Sequence, residues 1–252
     1  MTVDSPVALR RQPRILAEVA KTLIYALLIV VGVRTFLWQP FNIPSGSMVD
    51  TLLVGDYVWV NKYAYGYSRY SLPFGLPLFG GRIFGAEPQR GDIAVFKLPR
   101  DNATDYIKRV IGLPGDRIRM RGGIVYINGE AARQAFVEDV EVDGPFGVKT
   151  AAKRFRETLP GGVQHDIIDM YEASAGDNTS EYVVPPGHYF MMGDNRDNST
   201  DSRSEDVGYI PYQNLVGRAE AIFFSADGSA GFFEIWKWPS AVRWERIFRS
   251  LQ

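Results

Sequence analysis

Cysteine is absent from this 252-residue chain, and histidine occurs only twice. The first absence excludes disulfides, thiolate nucleophiles and cysteine-ligated zinc or iron–sulfur sites, though not an oxidising compartment. Neither sign of charge dominates: 28 Lys+Arg stand against 29 Asp+Glu, for a net charge of −1. Nucleic-acid binders ordinarily carry an excess of base, so that partner class is excluded. Long apolar runs are nearly missing too; there is one, which rules out a polytopic membrane protein. What remains is a globular composition, 46% hydrophobic and 23% charged, long enough for one or two domains. Aromatics are plentiful (15 Phe, 13 Tyr, 5 Trp), as are Gly (25) and Pro (15), a mixture suited to strands, turns and contact with something apolar.

The single apolar run starts at Thr22 and passes Val33, Arg34, Phe36 and Trp38. Residues 22–38 rise about 25 Å as a helix, enough for a thin bilayer. Arg34 is placed to snorkel and Trp38 to sit at the interface. Arg10, Arg11, Arg14 and Lys21 outnumber Asp4 and Glu18 ahead of it, so the positive-inside rule puts residues 1–21 in the cytoplasm and everything past Pro40 outside. A cleaved leader would need small residues at the exit; Arg34, Phe36 and Trp38 point to an uncleaved, single-pass signal anchor.

Past Pro40 the texture is short β-like runs: Tyr57–Val60, Ile93–Phe96, Tyr106–Ile111, Ile124–Ile127, Tyr189–Met192 and Ala221–Phe224. Asn128-Gly129 is a hairpin turn signal. The expected architecture is mainly β: one N-terminal transmembrane helix followed by a mostly antiparallel β body. That body takes residues 39–118 and 183–228 as its core, with 119–182 as an inserted accessory β region, more charged and irregular. Residues 229–252, with Trp236, Trp238, Trp244 and Phe248 among Lys237, Arg243, Arg246 and Arg249, read as a helix on an anionic membrane surface. The aromatic stretch 63–85 is read as a second membrane contact.

Few residues are left to carry chemistry. His165 falls in the irregular insertion and His188 after Pro185-Pro186-Gly187; neither is flanked by a serine elbow, and both read as turn residues without a role. The loop Asp194-Asn195-Arg196-Asp197-Asn198 has Arg196 where a calcium loop needs an oxygen ligand, so no metal site is expected there. A serine activated by lysine is the remaining option. Ser45 and Ser47 follow the membrane exit in Pro44-Ser45-Gly46-Ser47-Met48. In Tyr106–Ile111, alternation places Lys108 on one apolar face and Arg109 on the other. A lysine short of water sheds its proton, whereas arginine does not. Pattern alone still allows Lys108 to snorkel at a sheet edge, and either serine to be a turn residue.

Four ordered stretches change that balance: Ser45-Gly46-Ser47-Met48 with Thr51-Leu52; Arg90 to Phe96; Tyr106 to Asp116; and Gly193-Asp194-Asn195-Arg196-Asp197-Asn198-Ser199-Thr200-Asp201-Ser202-Arg203. Together, from about residue 36 to 225, they resemble the boxes of type I signal peptidases, bacterial serine proteases of the Ser/Lys class. Asp50 stands where the family often has proline, a change in a turn rather than in a reacting group. The resemblance implies a signal-peptidase and repressor-like β-ribbon fold and removal of signal peptides after small residues at −1 and −3. It implies Ser47 as nucleophile and Lys108 as general base, with Ser45 in the oxyanion hole. Ser199 would orient the lysine, and Asp201 and Arg203 would support the site. Phe41, Ile43, Leu52, Val58, Val95, Tyr106 and Ile107 would line the substrate pockets. No cofactor or metal is implied. The implied partners are secretory precursors bound as extended strands, the lipid bilayer and a secretion translocon, with the body on the outer face of a bacterial inner membrane. Two alternatives stay open: a membrane-anchored self-processing or pilin-processing Ser/Lys protease, and a non-catalytic anchored β scaffold.

Overall fold

The computed structural model describes residues 12–72, 75, 79–143, 148–231 and 233–251, with side chains from Ile15 onward. Asp4, Arg10, Arg11, the Arg14 side chain and five positions of the 63–85 stretch lie outside the described residues. Helix α1 spans Gln12–Phe36, starting well before Thr22. Its stretch Ile15–Phe36 is 22 residues of apolar helix, exposed along nearly all its length, with Thr35 near its end buried against the body. Such a length crosses a hydrocarbon layer without thinning it. Trp38 is not part of the helix: it opens β1 (Trp38–Asn42), so the anchor passes into the sheet with one residue between.

The strands follow as β2 (Asp56–Asn61), β3 (Tyr67–Ser68), β4 (Arg82–Ile83), β5 (Ile93–Lys97) and β6 (Asp105–Gly112). Next come β7 (Arg117–Arg121), β8 (Ile124–Ile127), β9 (Glu130–Ala131), β10 (Arg133–Asp143), β11 (Lys149–Thr158) and β12 (Gln164–Asp169). The last are β13 (Tyr182–Val183), β14 (His188–Met192), β15 (Ile210–Pro211) and β16 (Leu215–Ser225). The main sheet has seven strands in the order β1-β2-β16-β5-β6-β14-β15, with every named pairing antiparallel. Strict alternation in β2 buries Val58 and Val60 and leaves Tyr57 and Trp59 outside. Val58, Val60, Val95, Val216 and Ile222 join Ile43, Met48 and Leu52 in the core beneath.

Asn128 and Gly129 both take positive φ, 54° and 86°, in the two-residue turn joining β8 to β9, as their types favour. The accessory region is more regular than its composition suggests. Strands β10, β11 and β12 form a three-stranded sheet, and β13, β7, β8 and β9 a four-stranded one. The pairing of β7 with β8 and β13 begins the latter at Arg117, just ahead of residue 119.

The tail corrects the expectation of a membrane-surface helix. Only Trp238–Ala241 (α2) is helical, with a single 3-10 turn at Trp244–Arg246. Val242 and Ser250 bridge to Ala226 and Ala221, and Arg246 is buried in a two-point ion pair with Asp56. Burying that guanidinium on β2 and pairing the tail backbone with β16 outcompete a free amphipathic helix. Trp236, Trp244 and Phe248 nevertheless remain exposed. In the 63–85 stretch Tyr65 is a core residue, whereas Ile83 and Phe84 are exposed.

Candidate active site

Ser47 sits in the 3-10 turn Gly46–Met48, just after β1, and Lys108 in the middle of β6. The turn buries Met48 in the core and turns Ser47 toward β6. Lys108 Nζ lies 2.6 Å from Ser47 Oγ. Both residues are shielded, at 3% and 7% exposure, so water competes little for either atom. Besides Ser47, the amine donates to the Ile107 carbonyl at 3.0 Å, and it lies 5.4 Å from the centre of the Tyr106 ring. Burial lowers the Lys108 pKa to about 8, against the opposing pull of Asp201 and Asp194. Ser45, exposed, has its Oγ 3.5 Å from Ser47 Oγ.

The loop after β14 closes the site from behind. The Asn195 N–H donates to the Ser47 carbonyl at 3.1 Å. Gly193 permits this approach: a Cβ there would lie 2.5 Å from the Ser47 carbonyl oxygen and 2.3 Å from Ser199 Oγ. The Gly193 N–H donates to Asp201, whose carboxylate also takes two 2.9 Å bonds from Arg203. Burial pushes the Asp201 carboxyl up, but Arg203 and that N–H outweigh it and hold the group below the usual carboxylate range. Asp201 and Arg203 are thus brought together beneath the dyad. Ser199 is not on the lysine. Its Oγ is buried beside Gly193 and within reach of the Asp201 carboxylate, which it helps to hold ionised.

The seven expected pocket residues divide. Ile43, Leu52, Val58 and Val95 are wholly buried and back the site from the core. Phe41, Tyr106 and Ile107 are half-buried and accessible. Strand β14 pairs with β6 only from Arg109 onward, whereas β5 pairs from Asp105. On that side the backbone of residues 105–108 therefore has no strand partner among the described residues.

Several residues of the site are legible only in three dimensions. Arg109, one position beyond Lys108, makes a buried bidentate pair with Asp194 (2.8 and 2.7 Å). Strand β12 of the accessory sheet hydrogen-bonds to the same loop, Ile168 to the Asp194 carbonyl and Arg196 to the Ile168 carbonyl, both 2.9 Å. Arg196 forms a two-point pair with Glu157 of β11, beside His165, all three buried. His165 is thus a packed residue, not one in a turn; burial first, and the Arg109 charge second, lower its pKa. The contiguous run Gly193–Arg203 signalled the loop, but nothing in one dimension linked Glu157 or His165 to it.

The sequence profile described as signal peptidase, peptidase S26, matches residues 16–224. The signal peptidase I of Rickettsia typhi is 40% identical over 247 residues, and that of Rickettsia conorii 41% over 246, each alignment covering 90% of both chains. A crystal structure of a signal peptidase I from Enterococcus faecalis is 27% identical, covering 53% of this chain and 97% of that one, with a TM-score of 0.31.

Proposed function

Because the chain belongs to the signal peptidase I family of serine endopeptidases, which remove signal peptides from secretory precursors, we propose that Ser47 is its nucleophile and Lys108 its general base. The observation that carries this reading is the 2.6 Å contact between a shielded hydroxyl and an amine whose pKa is lowered to about 8. A neutral Lys108 takes the Ser47 proton as Oγ attacks the scissile carbonyl, then returns it to the leaving amine. Water, activated by the same lysine, hydrolyses the acyl-enzyme. Ser45 Oγ and the Ser47 N–H hold the tetrahedral oxygen. Asp201, Arg203 and Gly193 keep the loop pressed against Ser47, and Ser199 packs into that contact.

The precursor adds as an extended strand along residues 105–108 of β6, where main-chain groups lack a strand partner. Phe41, Tyr106 and Ile107 then meet its side chains directly. Ile43, Leu52, Val58 and Val95 form a core behind them too well filled for anything beyond a small residue at −1 and −3. The apolar helix α1 anchors the body to a membrane. The positive-inside argument places that body on the outer face of the inner membrane, with residues 1–21 in the cytoplasm, where a precursor emerges from the secretion translocon.

The test is precursor cleavage by purified full-length protein in detergent, with N-terminal sequencing of the product. Lys108→Arg and Ser47→Ala abolish turnover. Ser45→Ala leaves a residue of activity, slower by on the order of 100-fold, as loss of one oxyanion donor does. Cleavage retained by Lys108→Arg refutes the neutral-lysine mechanism.

A further inference from the structure

A cavity of about 820 Å³ lies where the last turn of α1 meets the β body. The dyad does not line it. Its wall takes Val31, Arg34 and Thr35 from one face of the helix, Gln39 and Phe41 from β1, Lys62 just after β2, and Arg69 and Tyr70 beyond. Cations crowd it. Arg34, Lys62, Arg69 and Lys97 line it against a single carboxylate, Asp105, and that one is paired to Lys97 at 2.9 Å.

The remaining cations make no direct ion pair among the described residues. Lys62 is 2% exposed and donates to the Arg34 carbonyl (3.3 Å) and to Gln39 (3.2 Å), acceptors that cap the helix but carry no charge. Burial first, and the Arg34 charge second, lower its pKa to about 8, with the Asp105 carboxylate pulling the other way. Arg69 stacks on the Tyr70 ring. Arg34 has no ion pair. Thr35 Oγ1 is buried at 6% residue exposure with no hydrogen-bond partner, an orphan donor four residues after Val31 on the same wall.

We infer that this cavity binds the phosphate of one anionic phospholipid from the leaflet surrounding the end of α1. Arg34, Lys62 and Thr35 would receive the phosphate and Phe41 and Tyr70 the glycerol and upper acyl region. The inference rests on α1 lying in a membrane, which puts Arg34 at headgroup depth. A lipid reaches the cavity along the Val31 side of the helix, in the membrane plane. Three unpaired positive charges match an anionic headgroup and disfavour one carrying its own ammonium. The bound lipid would tie the anchor to the body and set the height of β6 above the bilayer.

The test is native mass spectrometry of the full-length protein released from detergent with phosphatidylglycerol or phosphatidylcholine, beside flotation with vesicles of the same lipids. The wild type is expected to retain one phosphatidylglycerol in preference to phosphatidylcholine. Arg34→Gln with Thr35→Val should weaken that retention roughly tenfold or more, the size expected for lost charged hydrogen bonds, and Arg34→Lys should restore most of it. Neither Arg34 nor Thr35 supports the core of the body, and an unchanged thermal midpoint checks the fold. Equal retention by wild type and double variant overturns the lipid site. So does displacement of the lipid by inorganic phosphate, or unchanged lipid retention with a raised KM confined to precursors carrying an acidic residue upstream of −3. Failure of the wild type to float with any vesicle overturns the anchor, and this site with it.

Discussion

A lysine held near 8 in a protein working near neutrality is mostly charged, with roughly a tenth neutral at pH 7. Cleavage by the wild type, followed as kcat/KM, should therefore climb with pH through about 8 and level off above it. The same amine costs stability. Below pH 8 it is protonated whether folded or unfolded and the burial penalty is full. Between about 8 and 10.5 the unfolded chain keeps a proton that the folded one has released, so stability rises across that window. Lys108→Met should thus raise the unfolding free energy at pH 7 by up to about 3 kcal/mol, with the gain over wild type fading toward pH 10.5. Denaturant melts at a series of pH values check both sign and window. Gly193 makes the opposite point. Its missing Cβ leaves room for the Ser47 carbonyl and Ser199 Oγ, and Ser47 is held by the Asn195 N–H. Gly193→Ala should cut kcat by 10-fold or more, on the order of what small misplacement of reacting groups costs, with little change in KM.

At the scale of elements, the accessory sheet is a brace for the catalytic loop. The bridge from Ile168 to Asn195 and the Glu157–Arg196 pair fasten β11 and β12 to the segment whose Asn195 N–H holds Ser47. Removing one charge of a buried pair strands the other. Glu157→Gln should destabilise the protein by about 3–5 kcal/mol, read as a fall in the urea midpoint. Glu157→Leu combined with Arg196→Met should cost less than Glu157→Gln alone, because no charge is then left buried without a partner. If the double variant is the weaker protein, the pair contributes more than its own desolvation.

Over the whole molecule, apolar surface gathers around the anchor. Tyr57 and Trp59 emerge from β2 beside Phe223 of β16, with ring centres 6.1 and 4.4 Å from that phenylalanine, and Trp38 meets Tyr63 edge-on next to the end of α1. A sheet face so furnished suits the interfacial layer of a bilayer. A fragment beginning at Leu37, which preserves β1, should still float in part with liposomes. Trp59→Asp in that fragment should abolish flotation while leaving its thermal unfolding unchanged. Absence of flotation before the substitution would return these aromatics to ordinary surface packing.

Much of this protein is local, and what is local was legible. Apolar continuity over many residues announced α1, alternation announced β2, and Asn128-Gly129 announced its hairpin, because each depends on neighbours a few positions apart. The proposed dyad was legible only through the resemblance of four ordered boxes, since pattern alone left Lys108 and either serine with structural readings, and spacing in the chain could not state that the two atoms meet. The tail and the accessory region went the other way. A row of aromatics and cations reads as an amphipathic surface helix until Arg246 finds Asp56 and the chain end finds β16. Glu157, Arg196 and His165 look like ordinary polar residues of a solvated hairpin until folding removes their water. Sequence alone determined the apolar helix and the β character, since these follow from side-chain type and short periodicity, and the resemblance of its ordered boxes pointed to Ser47 and Lys108. Tertiary structure alone decided which charges are buried together, which of the expected pocket residues lie in the core, and where Ser199 packs, since burial and pairing are properties of segments far apart in the chain.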